Sequence, residues 1–588
     1  MKKPILKRKG IKIAFWTTGV ILFLLLAVQI FTSIYLPGII KKRVVFLVEN
    51  GSDGLYKCSV GGVSVNVLGG TVSIKDVEVK IDSVKYNHIV ELGSLPDATF
   101  EANLEEGKIT GFKLFPFLFS KKIVLNTIKI VKAEIRIYSE YDVEKERLQK
   151  IKSEQKKQYN EENNIKEPIR EQKLWQLIEP EIKGIRINWI FLDDTKFSYR
   201  KASSQSELKV SYNNLSATLK GIRVDSVGAS EKNRILFTED ISLNFTGLKF
   251  FTPDSLYMIN VDSMVYSSFT KDIIIKGFGV NPTLDAAGFS AKIGQQVDAF
   301  DVKVPSMLIK NFQVEKIFSD NAFQVDSIEV DKPLVKIFHD RTFPADTVVK
   351  YGQYPNEAIL KTPIALRIPL IILKESEVHY IEKQAVTYKT GDAFFSKVSG
   401  TMTNVTNDTG WLKTNSHMVI DMQGNFLHSG KMTASFDFDL ASPMNEYTAK
   451  ADMGRIGAKE LNIMTIPFGN MEMKTADLKE AHFRLQGNKN GTIGSLRMIY
   501  NNLTVEMLAV DKKNGGMKDD KFMSFLANLV GVRKDNPDKK GIETKAENIV
   551  VKRTPVMPFF NMIWKTLFGG MKEIMLKGPA KNIKIGQE

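Results

Sequence analysis

Six histidines, one cysteine and a scatter of close carboxylates are the side chains whose types could support catalysis or metal binding in this chain. The histidines are His88, His339, His379, His417, His428 and His482. They stand apart in strand-like segments, with no H-E-x-x-H and no pair at metal-ligand spacing. A histidine isolated on a strand serves as a surface residue or a satisfied core residue. Cys58 is the sole cysteine, which excludes an internal disulfide and a thiolate cluster within the chain. Beside strand-like residues it reads as a small apolar core residue. Asp193-Asp194 and Asp437-Phe-Asp439 bring carboxylates close in sequence, the raw material of acid–base pairs. They flank a turn or alternate along a strand, where outward solvation is the default. No G-x-S-x-G elbow, Walker loop or G-x-G-x-x-G is present. The sequence therefore predicts no catalytic residue, no metal site and no cofactor, in a protein that is not an enzyme.

The elements around these residues read almost entirely as strands. From about Tyr56 onward, β-branched runs of period two are broken by Gly, Asn, Asp and Ser, as in Val63-Ser-Val-Asn-Val67, Val72-Ser-Ile74 and Val77-Glu-Val79. With 43% hydrophobic and 25% charged residues, the 588-residue chain has the composition of folded protein. Its length suits about three to five domain-sized units, unless it is a repeat array. The net charge of +15 asks for an anionic partner. Lysines and acids interleave, and there is no Arg-rich helix, zinc spacing or aromatic RNA-binding signature, so nucleic acid is excluded and anionic lipid remains.

Residues Ile13 to Leu36 carry no charge and follow Lys2, Lys3, Lys7, Arg8, Lys9 and Lys12. At about 1.5 Å per residue this stretch crosses a hydrocarbon core of about 30 Å. It exceeds the apolar region of a secretory signal and no small-x-small site closes it, so it reads as an anchor. The positive-inside rule places the N-terminus in the cytoplasm and the rest of the chain beyond the membrane, in a bacterium the periplasm. Lys41, Lys42 and Arg43 add positive charge on the other flank.

Two blocks recur in order. Ile109 to Tyr138 aligns with Ile309 to Phe338 at an offset of 200, and Ile185 to Tyr199 aligns with Leu366 to Tyr380 at 181. This is a duplication. In the first copy Ile123, Leu125, Ile128, Ile130, Ile135 and Ile137 point to one face, while Lys122, Lys129, Glu134 and Arg136 point to the other. The second copy places Phe323, Val325, Ile328, Val330, Val335 and Ile337 on the matching face. Phase slips between Leu125 and Ile128, and between Ile130 and Ala133, predict bulges or turns that bend the sheet. Few amphipathic helices are available to cover the apolar face, so its partner is either another sheet in a closed sandwich or lipid in an open groove.

The segment 141–176, dense in Glu, Lys and Gln, reads as a charged helical insertion and linker, a solvated excursion or a partner-docking arm. Near the C-terminus, Asp519 to Val530 predicts a helix. Beyond it Phe559, Phe560, Ile563, Trp564, Leu567 and Phe568 form a broken apolar stretch, suited to a membrane interface or to capping the end of a β-array.

The anchor, the segment Val63 to Asp82, the recurring strand ends at Tyr138 and Phe338, and the stretch Leu503 to Lys572 together make the chain resemble the AsmA-like family of bacterial envelope proteins. In size and in its lack of acidic metal clusters it is also similar to bridge-like lipid-transfer proteins. The resemblance implies a β-groove of curved antiparallel strands, apolar within, along which acyl chains slide between inner and outer membrane. It also implies a part in outer-membrane assembly, with membrane lipids and envelope proteins as partners. The expected fold is mainly β: an N-terminal transmembrane helix, then an elongated, duplicated antiparallel β-groove with C-terminal helices. Its expected order is a cytoplasmic tail (1–12), the span (13–36), a first β-repeat (37–140), the insertion (141–176), a β region completing the first copy and starting the second (177–300), the second copy (301–430), a C-terminal β region (431–512) and a helical cap or interfacial segment (513–588). The alternative is a non-transporting envelope scaffold of closed β-sandwich repeats.

Overall fold

The computed structural model describes residues 26, 29–46, 48–50, 52–91, 99–139, 183–202, 207–231, 234, 237–385, 387–510, 517–519 and 531–578. It is mainly β, with a long sheet of many strands and short helices. The chain divides into two compact units, Met1–Ser255 with Val261–Thr270, and Leu256–Asn260 with Lys271–Glu588. Most of the expected span 13–36 lies outside the described residues, as do the insertion 141–176 and residues 520–530 of the expected C-terminal helix. Among the described residues no helix is long and apolar enough to cross a membrane.

In the first unit α1 (residues 29–46) precedes β1 (Tyr56–Asn66), β2 (Thr71–Ile81), α2 (Ser83–Glu91), β3 (Thr99–Thr110), α3 (Leu114–Ser120), β4 (Lys122–Ser139), β5 (Gly184–Ala202), β6 (Glu207–Val224) and β7 (Asp240–Phe251). Strands β1 to β4 pair antiparallel in chain order. β5 then lies parallel to β4, and β6 and β7 resume antiparallel pairing. The expectation of a purely antiparallel sheet is corrected at this joint. A parallel neighbour needs a long crossover, and the connection 140–183, which contains the charged insertion, provides it. α1 follows the edge of β1: the Ser33 hydroxyl donates to the Val65 carbonyl at 3.1 Å, and the Gln29 side chain accepts from the Leu68 N–H at 3.0 Å. An edge strand bristling with unpaired backbone groups is thereby partly capped.

The boundary between the units falls in β8 (Tyr257–Ser267). The second unit continues with β9 (Asp272–Pro282), α4 (Ala286–Ile293), β10 (Asp298–Lys310), α5 (Val314–Ser319), β11 (Ala322–Gln324), β12 (Ser327–Asp331), β13 (Leu334–Asp340), α6 (Pro355–Leu360), β14 (Ala365–Lys383) and β15 (Thr390–Thr406). After α7 (Thr409–Leu412) come β16 (His417–Phe426), β17 (Gly430–Asp439), β18 (Tyr447–Met453), β19 (Ile456–Gly457) and α8 (Ala458–Gly469). The chain ends with β20 (Met471–Asn488), β21 (Gly491–Val510), β22 (Met517–Asp519), β23 (Ala546–Lys552) and α9 (Phe559–Met575). β12 and β13 pair antiparallel with β10, and β11, β12 and β13 all lie parallel to β14. This second parallel joint is the counterpart of β4 and β5.

The repeat seen in sequence is carried residue by residue into strand register. Ile109 faces Ile128 as Ile309 faces Ile328, and Ala102 faces Ile135 as Val302 faces Val335. Across the parallel joint, Ile128 faces Ile190 as Ile328 faces Ile371, and Ile137 faces Tyr199 as Ile337 faces Tyr380.

Both phase slips are breaks in pairing aligned across strands, at which the same number of residues is passed over on each side. Pairing passes over Gly61 with Asp76, Asp76 with Glu105, Glu105 with Lys132, and Lys132 with Asp194. Asp76, Lys132 and Asp194 sit at φ of 51°. The extra residue per strand returns the next apolar side chain to the same face. The other slip passes over Asn126 with Asn188, and Asn188 with Gly221. Beside Asn126, Gly111 has φ of 69°, and a Cβ there would collide with the asparagine. The second unit repeats the first line: Lys332 (φ 48°) and Glu375 (φ 47°) stand where Lys132 and Asp194 do.

Candidate functional site

The breaks in pairing keep apolar residues in register over many strands. In the first unit one row runs from Val65 through Val72, Ile109, Ile128, Ile190 and Leu219 to Ile241, from β1 to β7. A parallel row runs through Val63, Ile74, Gly107, Ile130, Leu192, Ala217 and Leu243. One residue along the same strands the opposite face carries Ser64, Ser73, Lys108 and Lys129, with Lys129 exposed. Val72, Ile109, Ile128, Ile130, Ile190, Leu192 and Leu219 are all half-buried. A core closed by a second layer would leave such residues almost fully buried. The described residues thus cover this face only in part.

The second unit has the same construction on a longer path. From Ile273 the row passes through Ile309, Ile328, Ile371, Met402, Ile420, Phe436, Ala449 and Leu485 to Gly494 and Ile549, from β9 to β23. Ile328, Ile371 and Met402 are half-buried, whereas Ala449 and Leu485 are 3% and 2% exposed. The difference has a visible cause. Helix α9 lies on β20, β21 and β23, with Gly569 and Gly570 against Ile549 and with Thr566 bonded to Thr492 at 2.7 Å. The row is partly covered near β12 to β15, where Ile309 and Ile420 on either side are 7% exposed, and more fully covered near β18 to β23.

The expected groove residues divide accordingly. Ile123, Leu125, Ile128, Ile130, Ile135 and Ile137 all lie on β4, and their counterparts are spread over β11, β12, β13 and the link between β11 and β12. Phe323, Ile328, Val330, Val335 and Ile337 are half-buried. Leu125 and Val325 are corrections, being 7% and 2% exposed. Leu125 belongs to a closed cluster with Ile187, Ile222, Ala229 and Phe237, in which the β6–β7 connection folds over the sheet, and Ile123 packs alongside together with the row residues Ile109, Ile128, Ile190 and Leu219. Leu125 and Val325 stabilise the fold and leave no room for a ligand.

Of the expected interface residues, Phe560 and Trp564 are 70% and 44% exposed, and Trp564 stacks on Phe568 at 5.9 Å. Ile563, Leu567 and Phe568 are half-buried. Phe559 is a correction: it is 6% exposed and packs among Tyr354, Phe436, Phe438 and Tyr447. The sequence reading missed the whole row from Met402 to Leu485. Its signal was the period-two alternation in Met418-Val-Ile420-Asp-Met422, which has no counterpart in the aligned repeat.

Many of the charged side chains are paired with one another. Four histidines bond to aspartates: His339 to Asp298 at 2.8 Å, His379 to Asp392 at 2.9 Å, and both His417 to Asp437 and His482 to Asp452 at 2.7 Å. The Asp437 hydrogen bond raises the pKa of His417 above the usual histidine value. Glu329, on the face opposite the row, accepts from Lys310 and Lys374 at 2.5 and 2.7 Å, and these bonds pull its carboxyl down to about 2. The one deeply buried ion pair in the described residues joins Arg553 and Glu357 at 2.8 and 3.0 Å. Among the described residues no group of three or more His, Cys, Asp or Glu is placed to hold a metal. What the arrangement offers is an apolar surface for burying hydrocarbon. Comparison with protein-family models and with curated proteins finds no match to this chain.

Proposed function

We propose that this chain is a membrane-anchored envelope protein of the AsmA-like kind, which buries acyl chains against its apolar rows. It would thereby carry phospholipid passively between inner and outer membrane, or support outer-membrane assembly. In this reading 13–36 spans the inner membrane, the N-terminus is cytoplasmic and the remainder is periplasmic. The observation that carries it is the in-register row from Val65 to Ile241, half-buried from Val72 to Leu219, with lysines on the reverse face. Each acyl methylene removed from water there contributes about 0.8 kcal/mol, so binding needs no polar chemistry and no cofactor. The scaffold reading draws support from the part sealed by α9, where Leu485 is 2% exposed, and applies to β18 to β23.

The test is lipid content and contact. The full-length chain, purified and extracted, should yield phospholipid by mass spectrometry. A photoreactive phenylalanine analogue in place of Ile128 should form acyl adducts, and one in place of Lys129 should not. A lipid-free preparation with no adduct at 128 overturns the reading.

A further inference from the structure

Helix α3 has the sequence Leu-Phe-Pro-Phe-Leu-Phe-Ser and sits between β3 and β4. Phe115 and Phe119 are 75% and 79% exposed, and their rings stack 6.2 Å apart. Two large apolar rings held outward together are an unfavourable surface in water and need an occupant. The segment 111–124 contains no acidic residue. Lys113, Lys121 and Lys122 flank the helix and are exposed, and Lys183 joins them through its N–H bond to the Lys121 carbonyl at 2.9 Å.

Position narrows the choice of occupant. The β1–β2 turn bonds on one side to α1, from the Leu68 N–H to Gln29 at 3.0 Å. On its other side the Gly70 carbonyl accepts from the Phe112 N–H, at the root of α3, at 3.3 Å. Leu68 itself is 55% exposed. On α1, Phe31 and Ile34 are 61% and 66% exposed, within the uncharged stretch of the N-terminus. Apolar side chains of α1, the turn and α3 therefore share one end of the first unit, with lysines flanking α3.

The second copy supplies an internal control. Helix α5 stands at the same place, offset by 200, but Glu315 replaces Phe115 and pairs with Lys271 at 3.4 Å. Lys316 replaces Pro116 and pairs with Asp320 at 3.1 Å. One fold position has thus been made soluble in one copy and apolar in the other.

We infer that α3 is a membrane-seating wedge: Phe115 and Phe119 insert among the acyl chains of an anionic bilayer while Lys113, Lys121, Lys122 and Lys183 meet its headgroups. Aromatic rings below and lysines at the headgroup level are the arrangement that interfacial burial favours. Seated this way, the end of the first unit that carries the row from Val65 to Ile241 meets the lipid surface. The inference rests on the membrane-anchored reading and adds to it a contact with the bilayer surface.

The test uses the full-length chain with Cys58→Ala and either Phe115→Cys or Glu315→Cys, labelled with an environment-sensitive fluorophore. It is reconstituted in vesicles of phosphatidylcholine, alone or mixed with phosphatidylglycerol, containing lipids spin-labelled on the acyl chain. The label at 115 should shift to the blue and be quenched several-fold more than the label at 315, more strongly when phosphatidylglycerol is present. Equal, weak quenching at both positions overturns the wedge. So does a blue shift at 115 that grows with protein concentration in the absence of lipid, since a second copy then occupies the patch. Quenching that ignores phosphatidylglycerol removes the role assigned to the lysines. Failure of acyl adducts at Ile128 with intact quenching at 115 discards the carrier reading and leaves the wedge standing.

Discussion

At the scale of single residues, the Arg553–Glu357 pair is where a small chemical change should have the largest effect on stability. Both side chains are nearly inaccessible, at 1% and 7%. Glu357 also accepts from the backbone N–H groups of Gly352 and Tyr354 at 2.7 and 3.2 Å and from Asn445 at 3.1 Å, and the guanidinium lies 3.5 Å from the Tyr354 ring centroid. A buried pair of this kind returns little net stability over an apolar pair, because desolvation cancels most of the attraction. Removing one member leaves the other's charge buried without its counter-charge. Arg553→Met should therefore cost about 3–5 kcal/mol in denaturant unfolding, and adding Glu357→Leu should recover much of that loss. Burial pushes the Glu357 carboxyl up, but the guanidinium and the two N–H groups outweigh it and hold the pKa below the usual value. A carboxyl depressed on folding contributes stability that is complete above its unfolded value, about 4.3, and is lost as pH falls through the folded value. Unfolding titrations should show that acid loss in the native chain and a smaller one in Glu357→Gln.

At the scale of elements, the lines of broken pairing decide which face each strand presents. Lys132 and Lys332 hold the left-handed conformation that a side chain adopts at a cost of about 1–2 kcal/mol. Lys132→Gly should stabilise the chain by up to about 1 kcal/mol, and Lys132→Val should destabilise it by more than that. Lys332 should respond alike, and denaturant midpoints would show whether it does. These slips are legible in the sequence itself, because Ile130 and Ala133 cannot share a face of a regular strand. The parallel joint of β4 and β5 is not, since an alternating strand has the same pattern beside a parallel or an antiparallel neighbour. The break of β4 into β11, β12 and β13 in the second copy is hidden for a related reason: gapless alignment conserves residue spacing across a local loss of pairing. Helix α9 is visible as an apolar stretch, but Phe559 and Phe560 are adjacent in sequence, and their 6% and 70% exposures follow only from which side of the helix meets the sheet.

At the scale of the whole molecule, the duplication gives two apolar rows that the same physics should govern separately. Ile128 and Ile328 occupy matching register positions, each half-buried and each flanked across the strand by isoleucine on both sides. A carboxylate at either point would have to be dehydrated by any acyl chain lying across it, a cost well above the gain from a few methylenes. If each unit holds its own lipid, Ile128→Asp should abolish acyl adducts at a photoreactive Ile190 and leave those at a photoreactive Ile371 unchanged. Ile328→Asp should do the reverse, and the double variant should purify nearly free of phospholipid. Far-ultraviolet circular dichroism of each variant separates loss of lipid from loss of fold. Equal loss at both reporters from either single change would mean that the rows act as one site, and unchanged adducts at both would mean that Ile128 and Ile328 do not lie on the path of the acyl chain.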